Sequence, residues 1–566
     1  MFFQNSKMAG RYFLFLLILT GFFISCTKSA SNKQPVPPSN YSIKSASING
    51  AAYSSLVYNI NTQPVIRFQF SAAINKTQIP ANISLQSVSG VNVSCNFSYE
   101  NNDSVVVLQP QKALNNLTEY NVTVLTGLQS VQGGGLSSGA NLYFYTTIDS
   151  TDKYPQLPDT ALLTLIQQQT FKYFWDFGHP VSGLARERDN GDNNVVTTGG
   201  SGFGIMAMIV AVSRGFISRT DAVTRLNTIV NFLITKCQRW HGAFSHWIDG
   251  STGATVPFGN NNGADIVETS FLLQGLLTAR QYFNTADANE QALRDSINSI
   301  WNAVEWNWFT QSGTKSSLYW QYNPSYGSES DIWSIPVAGW NEALITYVLA
   351  ASSTNYSIRK GVYDTGWALN GAIKNGMAYY GITLPLGESF GGPLFFTHYS
   401  FLGINPNNLS DAYCNNYFTQ NAAHAQINYN YCVANPKNYF GYSNLCWGLT
   451  ASDIPNGYTA SSPTNDVGVI APTAAVSSIP YTPIQSMNAI KFFYYKLGDK
   501  IWGDYGFADA FSLSTPWFAS SHLAIDEGPV ICMIENYRTG LLWNLFMSCP
   551  EVKNGMIQLG FQSPNL

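Results

Sequence analysis

The sequence predicts two unlike parts, a β-sandwich followed by a large all-α domain closed as a double ring of six inner and six outer helices, an (α/α)6 toroid. Three observations carry this. Apolar residues alternate with period two from residue 41 to about 148. From about 157 the period becomes helical and stays so to the end, without repeated strand signals. The chain has 566 residues, too many for one ordinary domain.

The elements follow in order. Lys7 and Arg11 lead into the apolar run "YFLFLLILTGFFIS", and Cys26 follows it. A basic start and a short apolar run too brief to span a bilayer predict a signal peptide over 1–25. "FFISC" resembles a lipobox, which implies lipidation of Cys26. Residues 26–40, rich in Ser, Pro and Asn, read as a flexible tether. The expectation is an exported bacterial protein, lipid-anchored in the cell envelope at the outer membrane, facing the periplasm or the surface.

Over 41–148, "PVIRFQFS", "SVVVLQP" and "YNVTVLTG" predict strands and "SVQGGGLSSG" a turn cluster. The order "FSAAINKTQI", "ISL", "LTEYNVTV", "LQSVQGGGL", "FYT" resembles bacterial Ig-like domains. The stretch holds no Trp, so a spacer is expected rather than a sugar-binding module. Over 157–566, helices are predicted at "ALLTLIQQQTFKYFWDFG", "GFGIMAMIVAVSRG", "RTDAVTRLNTIVNFLITKC", "GADIVETSFLLQGLLTARQYF", "QALRDSINSIWNAVEWNWF", "WNEALITYVLAAS", "IQSMNAIKFFYYKLG" and "GPVICMIENYRTGLLWNLFMS". No fixed-length repeat marks a solenoid.

Composition narrows the function. Only 11% of residues are charged, the net charge is −4 and no basic run occurs, which argues against nucleic acid. The cysteines hold no C-x-x-C pair to complete a zinc site, and "DNGDNN" lacks the downstream Glu of a calcium loop, so no metal and no cofactor is expected. After Cys26, seven cysteines remain without a C-x-x-C pair and read mostly as small buried residues; a Cys414–Cys432 or Cys432–Cys446 bond stays open. The 14 Trp and 32 Tyr exceed what a core demands and suit the flat apolar faces of sugar rings.

Acids recur where apolar helices begin. Asp265 and Glu268 follow Gly263; Glu342 follows Gly339, Trp340 and Asn341; Asp526 and Glu527 precede Gly528 and Pro529, with the Pro expected in a first turn. Each could simply cap its helix. Their Gly- and Trp-rich flanks lack a Lys or Arg to pair with, and inner helices of a ring open at one mouth, so the acids are expected to converge as a paired-carboxylate site.

The motifs "GGSGFGIMAMIVAVSRGFISR", "HGAFSHWIDGSTG", "GADIVETSFLLQGLLTARQYF", "GWNEALITYVLAASS", "LPLGESFGGPLFFTHYSFLGINP", "CWGLTASDIPNGYTA" and "AIDEGPVICMIENYRTGLLWNLFMS" resemble, in order, the glycoamylase-like family, glycoside hydrolase family 144. The resemblance runs from about 157 to the C-terminus. It implies the toroid, hydrolysis of β-1,2-glucan with inversion, and catalytic acids at Asp265, Glu268, Glu342 and Asp526. Family members include endo-acting enzymes and exo-acting ones that release sophorose. Two departures stand out: the longer loop "SESDIWSIPVA", and Glu527 where the family resemblance implies an uncharged amide.

Glu342 is expected to protonate the glycosidic oxygen while Asp265, Glu268 or Asp526 activates water. Trp247, Trp320, Tyr322, Trp340, Phe395 and Trp447 are candidates for stacking on glucose or for core packing, and His246 and His398 for binding hydroxyls or for structure. Arg186, Glu187 and Arg188 read as a solvated loop edge. The reading is an endo-β-1,2-glucanase acting as a monomer on β-glucan. Its rivals are an exo-enzyme releasing sophorose, a glycan-capturing lipoprotein without catalysis, and a polysaccharide lyase, the last disfavoured by low charge.

Overall fold

The computed structural model describes residues 38–324 and 332–566. The expected signal peptide, the lipidated Cys26, most of the tether and the first part of the longer loop lie outside the described residues.

Two five-stranded sheets face each other in the first domain. One has the order β2-β1-β4-β8-β7, with β1 at Ile43–Ile48, β2 at Ala51–Ala52, β4 at Ile66–Phe70, β7 at Cys95–Glu100 and β8 at Val105–Pro110. The other has the order β3-β10-β9-β5-β6, with β3 at Val57–Ile60, β5 at Ile83–Ser87, β6 at Asn92–Val93, β9 at Glu119–Val124 and β10 at Ala140–Thr146. Period-two alternation turns one side of each strand inward. Ile66, Phe68 and Phe70 meet Val122, Val124, Leu142 and Phe144 in one buried cluster. Each such side chain contributes about 1.5–3 kcal/mol by leaving water.

This domain docks on the second. The Tyr58 ring stacks between Tyr145 and Phe440, with centroids 5.2 and 5.5 Å away. The connecting segment runs along a later helix: Lys153 N donates to Tyr495 O at 2.7 Å, and Tyr154 stacks on Tyr494 at 4.6 Å.

The helices of the second domain are α1 (Asp159–Trp175), α2 (Thr198–Arg214), α3 (Arg219–Thr235), α4 (Ile266–Tyr282), α5 (Ala288–Asn302), α6 (Leu344–Ser352), α7 (Tyr417–Ala434), α8 (Pro472–Ser477), α9 (Pro483–Ile501), α10 (Ala524–Thr539), α11 (Leu541–Met547) and α12 (Pro550–Leu559). Their contacts run in a series. α8 packs on α10, α10 on α2, α2 on α4 and α4 on α6. α2 and α4 are buried almost all round, as an inner position requires. Between α6 and α8 the interior is crossed by two 3-10 turns, Leu394–Thr397 and Ser400–Leu402, rather than by the full inner helix a regular ring would have. The turns are held by polar side chains of the helices: Gln274 Oε1 accepts from Gly403 N at 3.0 Å, and Asn536 Nδ2 donates to Leu402 O at 2.9 Å.

Three boundaries differ from the periodicity. The expected helix over 528–548 is two, broken at Gly540, whose φ of 70° ends α10 in a left-handed cap. α10 starts at Ala524, so Pro529 lies inside it rather than in its first turn. The segment 291–309 ends as a helix at Asn302 and resumes as a 3-10 turn at Trp306. α7 escapes the apolar pattern because its buried face is amide-rich: Gln420, Asn421 and Asn428 are buried and hydrogen-bonded. The seven described cysteines are all free. Among the described residues no helix is long and apolar enough to cross a membrane.

Candidate active site

The starts of the inner segments surround one cleft of about 560 Å³. Thr197 comes from the start of α2, Glu268 from α4, Glu342 from the turn before α6, Phe395 and Tyr399 from the 3-10 turns, Tyr458 from the hairpin before α8, and Leu523 and Ile525 from the start of α10. Glu187, Arg188, His246, Trp247 and Phe258 complete the wall.

Asp265 caps α4: its Oδ1 accepts from Val267 N at 3.1 Å and Glu268 N at 3.0 Å. Its Oδ2 accepts from Gln321 Nε2 at 3.1 Å and pairs with His246 Nδ1 at 3.0 Å. Fully buried and fully partnered, it holds the site together and does not line the cleft. Glu268 lines it. Glu268 Oε2 accepts from Gly199 N at 2.7 Å. A Cβ on Gly199 would stand 2.5 Å from that oxygen, so the approach requires glycine. Burial raises the Glu268 carboxyl, with the His246 charge pulling the other way. Burial opposes protonation of His246 too, but Glu268 and the bond to Asp265 outweigh it and lift the imidazole to about 9. His246 stacks flat on Phe258 at 4.1 Å, and Trp247 meets the same ring edge-on at 4.8 Å.

Among the described residues no cation pairs with Glu342. Burial, aided by the charges of Glu268 and Asp265 and partly offset by its own backbone N–H, pushes its carboxyl up to about 8. Its backbone carbonyl accepts from Ser400 Oγ, which ties the turn to the 3-10 segment.

Behind Leu523 and Ile525 lies a set of buried acids. Asp526 and Asp509 hydrogen-bond through their carboxyls; burial and then the Asp509 charge raise Asp526, while burial and the Asp453 charge raise Asp509 to about 7 against the bonds from Asp453 N and Asp526. Facing carboxyls cannot both ionise, so the pair holds one proton at neutral pH. Asp526 Oδ2 has no other protein partner among the described residues. Asp509 Oδ2 accepts from Asp453 N at 2.6 Å. Asp453 in turn receives Arg188 Nη1 at 3.2 Å on both oxygens and Ser521 Oγ at 2.5 Å. Glu527 is buried nearby, and burial with the charges of Asp509 and Asp189 keeps its carboxyl well above the usual range.

The other expected residues divide. Trp247, Phe395 and His246 line the cleft. Trp447 is fully buried and donates Nε1–H to Gln485 O. His398 is buried against Ser478 Oγ at 3.0 Å, and burial lowers it to about 3. Trp320 and Tyr322 lie off the cleft; Tyr322 packs in an aromatic group with Trp308 and Trp333. Trp340 lies beneath a neighbouring groove. Arg186 braces its loop by bonds to Asn193 O and Phe177 O, while Glu187 and Arg188 line the cleft rather than forming a solvated edge. Sequence reasoning passed over Tyr399, Phe258 and Tyr458. Tyr399 adjoins His398 in "FFTHYSF", and only the turn geometry tells which of the two faces inward. No group of three or more His, Cys, Asp or Glu able to hold a metal occurs among the described residues.

Comparison with known proteins bears on this site. The family model "Glycoamylase", described as "Putative glucoamylase", matches residues 334–550, and a bacterial Ig-like domain model matches 25–147. An endo-β-1,2-glucanase from Chitinophaga pinensis, solved with sophorotriose and glucose, is 48% identical over 73% of this chain and all of its own, with a TM-score of 0.70. A β-1,2-glucanase structure from Parabacteroides distasonis is 36% identical over 92% of this chain and 73% of its own, with a TM-score of 0.69. An exo-β-1,2-glucooligosaccharide sophorohydrolase from the same species is 46% identical over 430 residues, 72% of this chain; the match spans 58% of that protein's length. With the motifs in order and these relatives matched along most of the helical domain, the chain belongs to the glycoamylase-like family, glycoside hydrolase family 144.

Proposed function

We propose that the protein is an endo-acting, inverting β-1,2-glucanase. The observation that carries the reading is Glu342, a carboxyl in an aromatic cleft that pairs with no cation among the described residues and is raised by burial to about 8. Such a group is protonated at neutral pH and can donate. Glu342 gives its proton to the glycosidic oxygen as the C1–O bond breaks. A water attacks the anomeric carbon from the opposite face and loses its proton to Asp526 through an intervening water. The new reducing end is then the α-anomer. Asp526 is favoured as base because, beyond the proton it shares with Asp509, its Oδ2 receives no donor from the described residues, whereas both oxygens of Asp265 are engaged and Glu268 is bonded to Gly199 N. Endo-action is supported by the Chitinophaga pinensis relative, which this chain matches along its whole length, and by Phe258 and Tyr458, which stand at the rim 41% and 48% exposed. The proposed setting is the cell envelope, with Cys26 lipidated and the Ig-like domain as spacer.

The test is digestion of linear β-1,2-glucan with products followed by length and anomeric form. A ladder of oligomers with α-anomers is expected. Sophorose alone would turn the reading to exo-action, for which the sophorohydrolase relative speaks. Binding without cleavage would sink the enzyme reading.

A further inference from the structure

We propose that a groove beside Glu342, lined by Trp340, Asn341, Leu369, Ile373, Glu388 and Phe396, binds glucosyl residues of the same substrate chain beyond those held in the main cleft. The inference rests on the glucanase reading. The groove encloses about 450 Å³, within the range of ligand sites. It shares a wall with the main cleft. Glu342 and Phe395 line the cleft; their chain neighbours Asn341 and Phe396 line the groove. The two Phe rings meet edge-on at 4.8 Å and form the ridge between them. An enzyme that cuts within a chain must hold sugar rings on both sides of its acid, and the groove is lined by the residue next to that acid in the chain, Asn341.

Its chemistry suits a neutral sugar. Leu369 and Phe396 give apolar surface above the buried Ile373 and Trp340; Asn341 and Glu388 offer polar groups for hydroxyls; among the described residues no Lys or Arg lines it to call for an anion. Its floor is fixed. Trp340 Nε1 donates to His424 Nδ1 at 3.3 Å, which leaves His424 Nε2–H to donate to Gly392 O at 2.9 Å. Burial lowers His424 to about 4, so this neutral form holds through the physiological range. The loop that carries Glu388 closes over Trp340 at Gly387, where φ is 98° and a Cβ would stand 2.9 Å from the indole. Phe390 in the same loop sits at φ 63°, and Leu369 across the groove at φ 51°. Bulky residues held at positive φ are strained and persist where the surroundings fix them, often around ligands.

The experiment puts a large ring at the groove's edge. Ala372 is exposed there in a helical conformation with φ −70°, so Ala372→Trp is accommodated without refolding. kcat/KM is measured on β-1,2-linked gluco-oligosaccharides of increasing length and on the polymer. The ratio of long- to short-substrate kcat/KM is expected to fall about tenfold in Ala372→Trp, and in the same direction, by less, in Glu388→Ala. A ratio unchanged in both variants, with wild type active, overturns the groove while leaving the glucanase reading standing. Failure of wild type to cleave any β-1,2-glucan overturns the reading beneath it.

Discussion

Glu342 and Asp526 both hold a proton more tightly than a solvated carboxyl, by different means. Glu342 sits in apolar surroundings, and burial is the first cause of its rise. Asp526 is buried too, but it faces Asp509 and lies near Glu527 and Asp453, so its rise is also collective. The first arrangement makes a lone acid that can give its proton away. The second makes a pair that shares one proton and has one negative charge to receive another. Burial alone thus does not assign roles; the neighbours do.

The comparison can be broken in order of effect. Asp526→Asn removes the receiving oxygen and is expected to cut kcat on linear β-1,2-glucan by on the order of 10³-fold, with substrate binding kept; a drop below tenfold would move the base elsewhere. Glu268→Gln keeps an acceptor for Gly199 N–H but removes the charge that holds His246 protonated. It is expected to cost about tenfold in kcat/KM and to lower the His246 pKa from about 9, read by NMR titration. Asp509→Asn should change least at the pH optimum. Without the facing charge the Asp526 carboxyl falls, so the acid limb of the kcat/KM profile moves to lower pH by about a unit. The alkaline limb belongs to Glu342, whose protonated form is the active one. Activity therefore falls as pH rises through about 8, and Asp509→Asn leaves that limb in place.

Much of this was legible in the chain. The alternation over 64–71 and 104–110 located β4 and β8, and the acids expected where helices begin stand there, Asp265 as the cap of α4, Glu268 in its first turn and Asp526 in the first turn of α10. Which acid does what was not legible. Asp265 is set apart from Glu268 by partners far away in sequence, His246 and Gln321, and Asp526 acquires its character from Asp509 and Asp453. His398 and Tyr399 are neighbours in the chain, but only Tyr399 faces the cleft. The helix α7 was hidden because amides, not hydrocarbons, fill its inner face.

Glu342→Gln tests the central claim most directly. The substitution keeps the shape and removes the donated proton. The stability sign also follows: a carboxyl raised from its unfolded value to about 8 contributes stability below the unfolded pKa that is lost as pH rises through 8. The variant should therefore melt about 2 °C or more above wild type at pH 7.5, with the gap closing at pH 4. With the fold so verified, kcat on linear β-1,2-glucan is expected to fall by on the order of 10³-fold or more while oligosaccharide binding persists. A variant that retains more than a tenth of wild-type turnover would show that the proton comes from another group.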